Sequence, residues 1–189
     1  MIRPSSWLPL AVLALLVGLT AWLNSLVQPP TPRASGKARH DPDLIVENFS
    51  ARKLGEDGRV LYTLTARKMV HYPDDESARL ERIAFEAREP RQPRVEIRSD
   101  AGRLLEGGDK VWFEGNVVMD RDADARTAAS RLTTDKLLVM PDDGIARTTS
   151  PVVIESTDGR MEAEGLEINN QARTARLDRV RATYKAPRR

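Results

Sequence analysis

The sequence predicts an all-β domain of short antiparallel strands, preceded by one membrane-spanning helix. Three observations lead to this fold class. An uncharged apolar run stands near the amino terminus, the chain after it alternates apolar and polar residues with period two, and turn signals interrupt that alternation at short intervals. The length of 189 residues leaves room for one such domain. We expect a cytoplasmic tip and anchor at 1–27, a tether at 28–40, a β-domain at 41–186 and a tail at 187–189.

The anchor prediction rests on residues 7–27, which read WLPLAVLALLVGLTAWLNSLV. These 21 residues carry no charge, and at ~1.5 Å per residue a helix of this length crosses a ~30 Å hydrocarbon layer. A cleaved signal peptide is the alternative. A cut after Ala21 would place Leu19 where a small residue is expected, and the apolar run continues to Val27, so we expect a retained single-pass anchor.

The charges beside the span do not decide its orientation, since Arg3 stands on one side and Arg33, Lys37 and Arg39 stand on the other. The long carboxy-terminal portion has no thiols and is rich in strand patterns, which favours its export. Residues 28–39 are rich in proline and then in small polar residues, which is typical of a tether.

Composition excludes several classes of function. The chain has no cysteine, so disulfides, thiolate nucleophiles and cysteine-ligated zinc are ruled out. Thirty Lys and Arg against 28 Asp and Glu leave a charge of +2, and the two signs interleave, so we expect no nucleic-acid binding. The two histidines, His40 and His71, lie far apart in sequence on either side of a predicted strand, which excludes a histidine-rich metal site.

The strand pattern is clear at 94–99, where Val95 and Ile97 alternate with charged residues. Residues 59–66 alternate in the same way. Turn signals separate such segments at Asp57-Gly58, Pro73-Asp74-Asp75, Gly107-Gly108-Asp109, Asp142-Asp143-Gly144, Asp158-Gly159 and Asn169-Asn170.

A weak internal repeat appears when these segments are aligned. Thr65, Ser99, Thr134 and Ala163 take matching places, separated by 34, 35 and 29 residues. Each unit reads as strand, turn and strand, which predicts stacked hairpins whose apolar faces share one interior. The alternative is that any all-β chain of alternating strands looks faintly self-similar.

The interior is poor in aromatic residues: the chain has nine, and two of these belong to the apolar run. Aliphatic strand faces in partial contact would form an elongated groove suited to acyl chains, which bury ~0.8 kcal/mol per methylene without directional partners. A fully collapsed sandwich core is the alternative. Alternation places these residues inward, as candidates for lipid binding: Tyr62, Leu64, Ile83, Phe85, Val95, Ile97, Val111, Phe113, Val117, Met119, Val139, Val152, Ile154, Ile168 and Val180.

Two features mark the carboxy-terminal strands. Gly165 interrupts the alternation, which predicts a bulge or sharp bend that could carry a strand from one sheet to another. Val180, Ala182 and Tyr184 then alternate in a last strand whose free edge could pair with a strand of another protein. The alternative is an edge blunted by the charged residues around it.

Catalytic and metal sites are not predicted. Asp120, Asp122 and Asp124 begin like a calcium loop, but Ala125 replaces the turn glycine and Arg131 replaces the bidentate glutamate. The sequence contains no nucleophile elbow, zinc-protease or phosphate-loop motif, and its carboxylates are scattered among arginines. The residues from His40 to Asp43 read as a turn into the first strand. We therefore expect no enzyme and no cofactor.

Four segments resemble a known family in their order and spacing: LYTLTARKMVHYPDD (61–75), SDAGRLLEGGDKVWFEGNVVM (99–119), LTTDKLLV (132–139) and EGLEINNQARTARLDRVRATY (164–184). With the apolar run and the tether, they make the chain similar to the LptC family of the lipopolysaccharide export machinery. The resemblance implies a periplasmic β-jelly roll, twisted and open along one side, held at the inner membrane by a single helix.

The resemblance also implies a role and partners. Family members accept lipopolysaccharide from the ATP-driven inner-membrane extractor of the LptB/LptF/LptG type and pass it to the periplasmic bridge protein LptA. The resemblance places the contact with the extractor at 44–51 and the contact with LptA at 169–184. It also matches Gly165 to a glycine of a family motif. The implied partner-binding residues are Leu44, Val46, Phe49, Gly165, Val180, Ala182 and Tyr184.

Two other functions remain open. A membrane-tethered periplasmic scaffold that only docks partner proteins would have a closed interior and bind no lipid. A signal-cleaved soluble transfer protein similar to LptA would lack residues 1–27 in its mature form.

Overall fold

A computed structural model describes residues 8–27, 40–88, 92–125 and 127–184. The amino-terminal helix and the β-domain belong to two separate compact units, divided between Ala38 and Arg39. The predicted tether at 28–39 and the tail at 187–189 lie outside the described residues.

The helix α1 spans Leu8–Val27, 20 residues within the predicted apolar run. The Thr20 hydroxyl donates to the carbonyl of Leu16, 2.8 Å away and one turn earlier. In the part of the chain that the structure describes, no helix has both the length and the mean hydropathy that a membrane span needs. The membrane anchor therefore stays a prediction.

The rest of the described chain is all-β, as predicted. Ten strands form one antiparallel sheet. Their bounds are β1 Leu44–Leu54, β2 Val60–Tyr72, β3 Ser77–Ala87, β4 Val95–Leu105, β5 Lys110–Arg121, β6 Ser130–Met140, β7 Ile145–Ser156, β8 Gly159–Asn169, β9 Thr174–Leu177 and β10 Arg181–Tyr184.

The strands pair in sequence order from β1 to β8, as hairpins joined by short turns dictate. Both short final strands pair with β8, β9 along Leu166–Asn169 and β10 along Gly159–Glu162. Among the described residues, β1 pairs only with β2, and β10 pairs only with β8. The sheet is therefore open, with two unpaired edges, which agrees with the expected open jelly roll.

A line of kinks runs across the sheet. The pairing register shifts in the middle of four successive strand pairs, from β4–β5 to β7–β8. Asn48, Arg82, Asn116 and Gly165 have positive φ values of 55°, 50°, 47° and 101° near the middle of their strands. Each kink divides its strand into two halves, and we call the line of kinks the spine of the sheet. The turns form its two margins: one holds the β1–β2, β3–β4, β5–β6 and β7–β8 turns, and the other holds the β2–β3, β4–β5 and β6–β7 turns.

The sheet folds over along this spine. Lys53 on β1 reaches Asp142, in the turn after β6, with 2.5 Å between Nζ and Oδ2. Five strand spacings of ~4.8 Å would hold β1 and β6 about 24 Å apart in a flat sheet. One hydrophobic cluster also collects buried side chains from both halves of the strands. The two halves of the sheet therefore face each other across a shared core.

The internal repeat follows the same line. Thr65, Ser99, Thr134 and Ala163 lie on β2, β4, β6 and β8, and the last three lie within two residues of a register shift in their strands. The repeat unit is thus one kinked hairpin. The sequence prediction of stacked hairpins with a common interior is confirmed.

Candidate functional site

The inward face of the folded sheet holds nearly all the side chains that alternation assigned to it. Ten are buried: Leu64, Ile83, Phe85, Ile97, Val111, Phe113, Val117, Met119, Val139 and Val152. Four more are half-buried against the same cluster: Tyr62, Val95, Ile154 and Ile168. Their inward orientation is confirmed, whereas their contact with lipid stays a prediction.

Val180 is a correction. It was assigned inward as the start of the last alternating strand, but its side chain is 48% exposed. It lies between β9 and β10, next to Arg179, whose φ is 49°. The kink there turns the chain between its two pairings with β8, so the alternation of inward and outward side chains does not continue through Val180.

The set of inward candidates omits several interior residues. Some lie across a kink from a candidate, as Leu80 does from Ile83. Others lie in the same half-strand, as Leu137 does with Val139. The buried residues outside the set are Leu80, Leu132, Leu137, Leu166, Met69 and several alanines. The missed signal is a change of spacing, because inward positions are three apart across a kink, as at Thr134 and Leu137. In this fold, the sequence signature of a kinked strand is therefore a set of inward residues spaced by two, then three, then two positions, as at residues 132, 134, 137 and 139 of β6.

The interior is packed by the protein's own side chains. Phe113, Val117 and Leu137 are 0% exposed. Aromatic rings continue from Phe113 towards one margin, with centroids 6.4 Å apart for Phe113 and Phe85 and 5.3 Å apart for Phe85 and Tyr62. The middle of the core leaves no accessible groove among the described residues, and the alternative of a collapsed core describes it. Once the sheet folds over, the aliphatic side chains of its two facing halves fill the space between them.

The mouth of the fold, where the two margins meet opposite the spine, is bridged by Lys53 and Asp142. The hydrogen bond that Lys53 Nζ donates to Asp142 Oδ2 raises the pKa of the Lys53 ammonium. Tyr62 lies beside the pair, its ring centroid 5.9 Å from Lys53 Nζ, and partial burial followed by the charge of Asp142 raises the pKa of its phenol. An exposed ion pair thus stands directly over the aromatic entrance to the core.

The comparison with family models agrees with this architecture. The family described as "Lipopolysaccharide-assembly, LptC-related" matches residues 10–185, nearly the whole chain. The chain belongs to the LptC family. This family takes part in lipopolysaccharide transport and is generally non-enzymatic. A comparison with curated proteins gave no match.

The first edge of this LptC-family sheet is apolar and open. Leu44 and Ile45 on β1 are 49% and 58% exposed, and their strand has no neighbour on its outer side among the described residues. Val46 and Phe49 are half-buried against the core. Leu44 is the most exposed of the three implied donor-side residues, and contact of all three with a partner stays a prediction.

The last edge is formed by β10, where Ala182 is exposed and Tyr184 pairs through its backbone with Gly159. Gly165, implied as a partner contact, is instead buried within β8. A Cβ there would lie 3.4 Å from the carbonyl oxygen of Thr148. The kink gives this glycine a structural role in β8, and its contact with a partner stays a prediction.

The outer face carries paired charges rather than reactive groups. Glu86, Glu96 and Asp120 stand in register on β3, β4 and β5. Arginines interleave with them, with Arg94 2.9 Å from Glu86 and 2.6 Å from Glu96. Arg94 and then Arg88 lower the pKa of Glu86, and Arg131 lowers that of Asp120. Glu86 and Asp120 are therefore held ionised, as on a solvated strand face.

The two histidines, which are far apart in sequence, lie near the same end of β2: His71 on the strand and His40 beside the turn that follows it. His71 Nδ1 is 2.7 Å from an Asp43 carboxylate oxygen, and His40 Nδ1 is 3.0 Å from one of Asp74. The His40 ring also stacks on Tyr72, with centroids 3.9 Å apart. The antiparallel pairing of β1 with β2 brings them together. These exposed contacts fix the chain as it enters β1, which agrees with the predicted turn.

Proposed function

We propose that this protein is a non-enzymatic lipopolysaccharide transfer protein of the inner membrane. It accepts the lipid from the ATP-driven extractor and passes it to the periplasmic bridge protein LptA. The family match over residues 10–185 carries the proposal, since it covers both the helix and the whole β-domain. The aliphatic interior supports it, because acyl chains gain free energy from burial without needing hydrogen-bond partners.

The helix α1 is proposed as the anchor that keeps the domain in the periplasm beside the bilayer. Its 20 residues include no charged side chain, and at ~1.5 Å per residue they extend about 30 Å. Large apolar side chains on it are exposed, with Leu15 and Val17 at 70% and 62%. A surface of this kind is stable in lipid and unfavourable in water.

The two sheet edges are the proposed partner surfaces. An unpaired strand presents backbone donors and acceptors that another strand can complete. The β1 edge, with Leu44 and Ile45 exposed, is assigned to the LptB/LptF/LptG-type extractor, and the β10 edge is assigned to LptA. Lipid would then move from the first edge to the last through a shared interior.

The lipid role is tested with Val117→Thr, which keeps the side-chain shape and adds a hydroxyl at a 0% exposed position. An unpaired hydroxyl costs ~1–3 kcal/mol in apolar surroundings, so we expect capture of lipopolysaccharide to fall on the order of tenfold. Capture is read by photocrosslinking from a photoreactive amino acid at Met119, in cells producing the full chain.

Val118→Thr is the matched control, because the neighbouring valine points to the outer face of β5 and should leave capture unchanged. Denaturant unfolding of both variants corrects for any loss of stability. Equal capture by the two variants would remove the interior from the lipid path.

The onward contact is tested with Val180→Glu. This side chain is 48% exposed, so the new charge should leave folding intact while repelling a strand that adds to β10. We expect crosslinking to LptA to weaken by at least a few fold. Val60→Glu, at a 37% exposed valine next to the other edge, is the control. An unchanged LptA crosslink in Val180→Glu would place the contact elsewhere.

A docking scaffold that binds no lipid is the second candidate function. The packed interior favours it, since Phe113 and Leu137 leave no solvent-exposed surface in the middle of the core. The two functions separate on the same experiment. A scaffold would show no lipopolysaccharide capture from Met119 in any variant, with LptA crosslinking intact.

A further inference from the structure

The mouth of the fold is closed by residues that are distant in the sheet. Lys53 lies near the end of β1, and Asp142 lies in the turn between β6 and β7. Their 2.5 Å contact joins the margin formed by one set of turns to the margin formed by the other. Backbone pairing cannot hold these margins together, because the strands concerned are not neighbours.

The two sides of the contact differ in support. The turn holding Asp142 is braced: Gly144 N donates to the Pro141 carbonyl at 3.1 Å, and Asn170 N donates to the Gly144 carbonyl at 2.8 Å. Gln171 Nε2 also donates to the carbonyl of Asp142, at 2.9 Å. Lys53 stands instead on an edge strand that pairs on one side only. The β1 end of the β1–β2 hairpin is therefore the less supported side of the contact.

The contact is also weak enough to open. The Lys53 and Asp142 side chains are 41% and 49% exposed, and ion pairs in water are screened and contribute little. Behind the pair lies Tyr62, followed by Phe85 and Phe113 in the centre of the core. Moving the hairpin aside would expose this row of rings first, at the place where an apolar chain could enter.

We propose that the Lys53–Asp142 ion pair is a latch on the mouth of the fold, and that acyl chains enter the interior there when it opens. This inference rests on the proposed lipid-transfer function, and it names the route into the site. It reconciles a packed interior with a lipid-carrying role, because the open state is a minor population reached by movement of one hairpin.

Opening is measured without lipid, from the alkylation rate of a thiol buried behind the mouth. The natural chain has no cysteine, so Val139→Cys, at a 6% exposed position near the turn of Asp142, introduces a single thiol. Adding Lys53→Glu should accelerate its alkylation about two- to fivefold or more, the factor that an exposed ion pair supplies. Combining Lys53→Glu with Asp142→Lys restores the ion pair with its charges exchanged, and the alkylation rate should return to that of the Val139→Cys protein.

Two controls separate opening from unfolding. Lys136→Glu makes the same charge change at an exposed ion pair between neighbouring strands, 3.8 Å from Glu114, and should leave the rate unchanged. A thiol placed by Val117→Cys, on the spine side, should not respond to Lys53→Glu. Equal acceleration at both thiols, an equal effect of Lys136→Glu, or no effect of Lys53→Glu would overturn the latch.

The lipid arm uses Lys53→Cys with Asp142→Cys, joined by a short bismaleimide. Locking the mouth should abolish capture of lipopolysaccharide from the photoreactive position at Met119, and the unlinked protein should retain it. Capture that persists in the locked protein would overturn the route. If neither form captures lipid while the alkylation rates follow the pattern above, the latch stands and the lipid-transfer function fails.

Discussion

The hydroxyl groups of Ser99 and Thr134 lie inside the domain, each residue only 8% exposed, where their strands kink. Thr134 Oγ1 donates to the Pro151 carbonyl at 2.9 Å, and Ser99 Oγ donates to the Ala101 carbonyl at 2.6 Å. A kink interrupts the backbone ladder, and these hydroxyls donate a hydrogen bond to carbonyls beside the interruption. These two buried hydroxyl groups thus form hydrogen bonds with the backbone.

Outside, the clearest single-residue case is Asp120. It accepts from Arg131 Nε at 2.7 Å and from Arg98 at 2.9 Å, and Arg131 is the main cause of its lowered pKa. A carboxylate with a lowered folded pKa stabilises the fold above its ordinary pKa of 3.8 and loses that contribution as the pH falls through the folded value.

We therefore expect Asp120→Asn to reduce the loss of stability in acid. The natural protein should lose on the order of 1 kcal/mol more unfolding free energy than the variant between about pH 7 and about pH 2, as expected for a partly exposed pair. Urea unfolding at the two pH values measures this difference. Asp143→Asn, at an exposed carboxylate in the β6–β7 turn, is the control. An identical pH dependence for all three proteins would show that the Asp120 pairs add nothing.

At the scale of the strands, the kinks decide what sequence could predict. Alternation correctly assigned residues within each half-strand, and Gly165 marked one kink, because glycine adopts a φ of 101° without strain. The kinks at Arg82 and Asn116 have no such marker at their own positions, and their strands could not be divided from residue type. The buried Leu80 across the Arg82 kink was missed for this reason, whereas the candidates on β5 include residues on both sides of Asn116, such as Phe113 and Val117.

The glycine kink gives a prediction. In β8, Gly165→Asn would force a side chain into a φ of 101°, with its Cβ 3.4 Å from the Thr148 carbonyl oxygen. We expect a loss of ~1–3 kcal/mol in unfolding free energy, the usual range for backbone strain of this kind. Thermal or urea unfolding measures it.

Gly107→Asn is the matched substitution. Gly107 has φ 68° and ψ 8° in an exposed turn, a conformation that asparagine accepts, and nothing lies within 4 Å of its added Cβ. Its effect should be small. Equal losses at both positions would mean that the kink in β8 has no special backbone requirement.

At the scale of the whole domain, the sequence could not reveal how the sheet closes. Short strands and turns predicted one antiparallel series, but folding over depends on the sum of all the kinks. The contact of Lys53 with Asp142, 89 residues apart, is therefore invisible in the sequence. The packed core was also unpredictable, since the same aliphatic residues suit an open groove and a closed sandwich equally well.

One shared core predicts one cooperative transition, with stability graded from the centre of the sheet to its edges. Leu137 on β6 is 0% exposed, so Leu137→Ala should remove ~2–5 kcal/mol and lower the urea midpoint without changing the slope. Leu54→Ala, at a 58% exposed position on β1, should have little effect.

Hydrogen exchange gives the spatial part of that prediction. Amides of β5 and β6 should exchange only through global unfolding and become faster in Leu137→Ala. Amides of β1 should exchange through local opening at the free edge, at a rate that Leu137→Ala leaves unchanged. Because the latch also opens at β1, Lys53→Glu should accelerate β1 amides and spare β5 and β6. Uniform protection across all strands would contradict both the graded stability and the mobile hairpin.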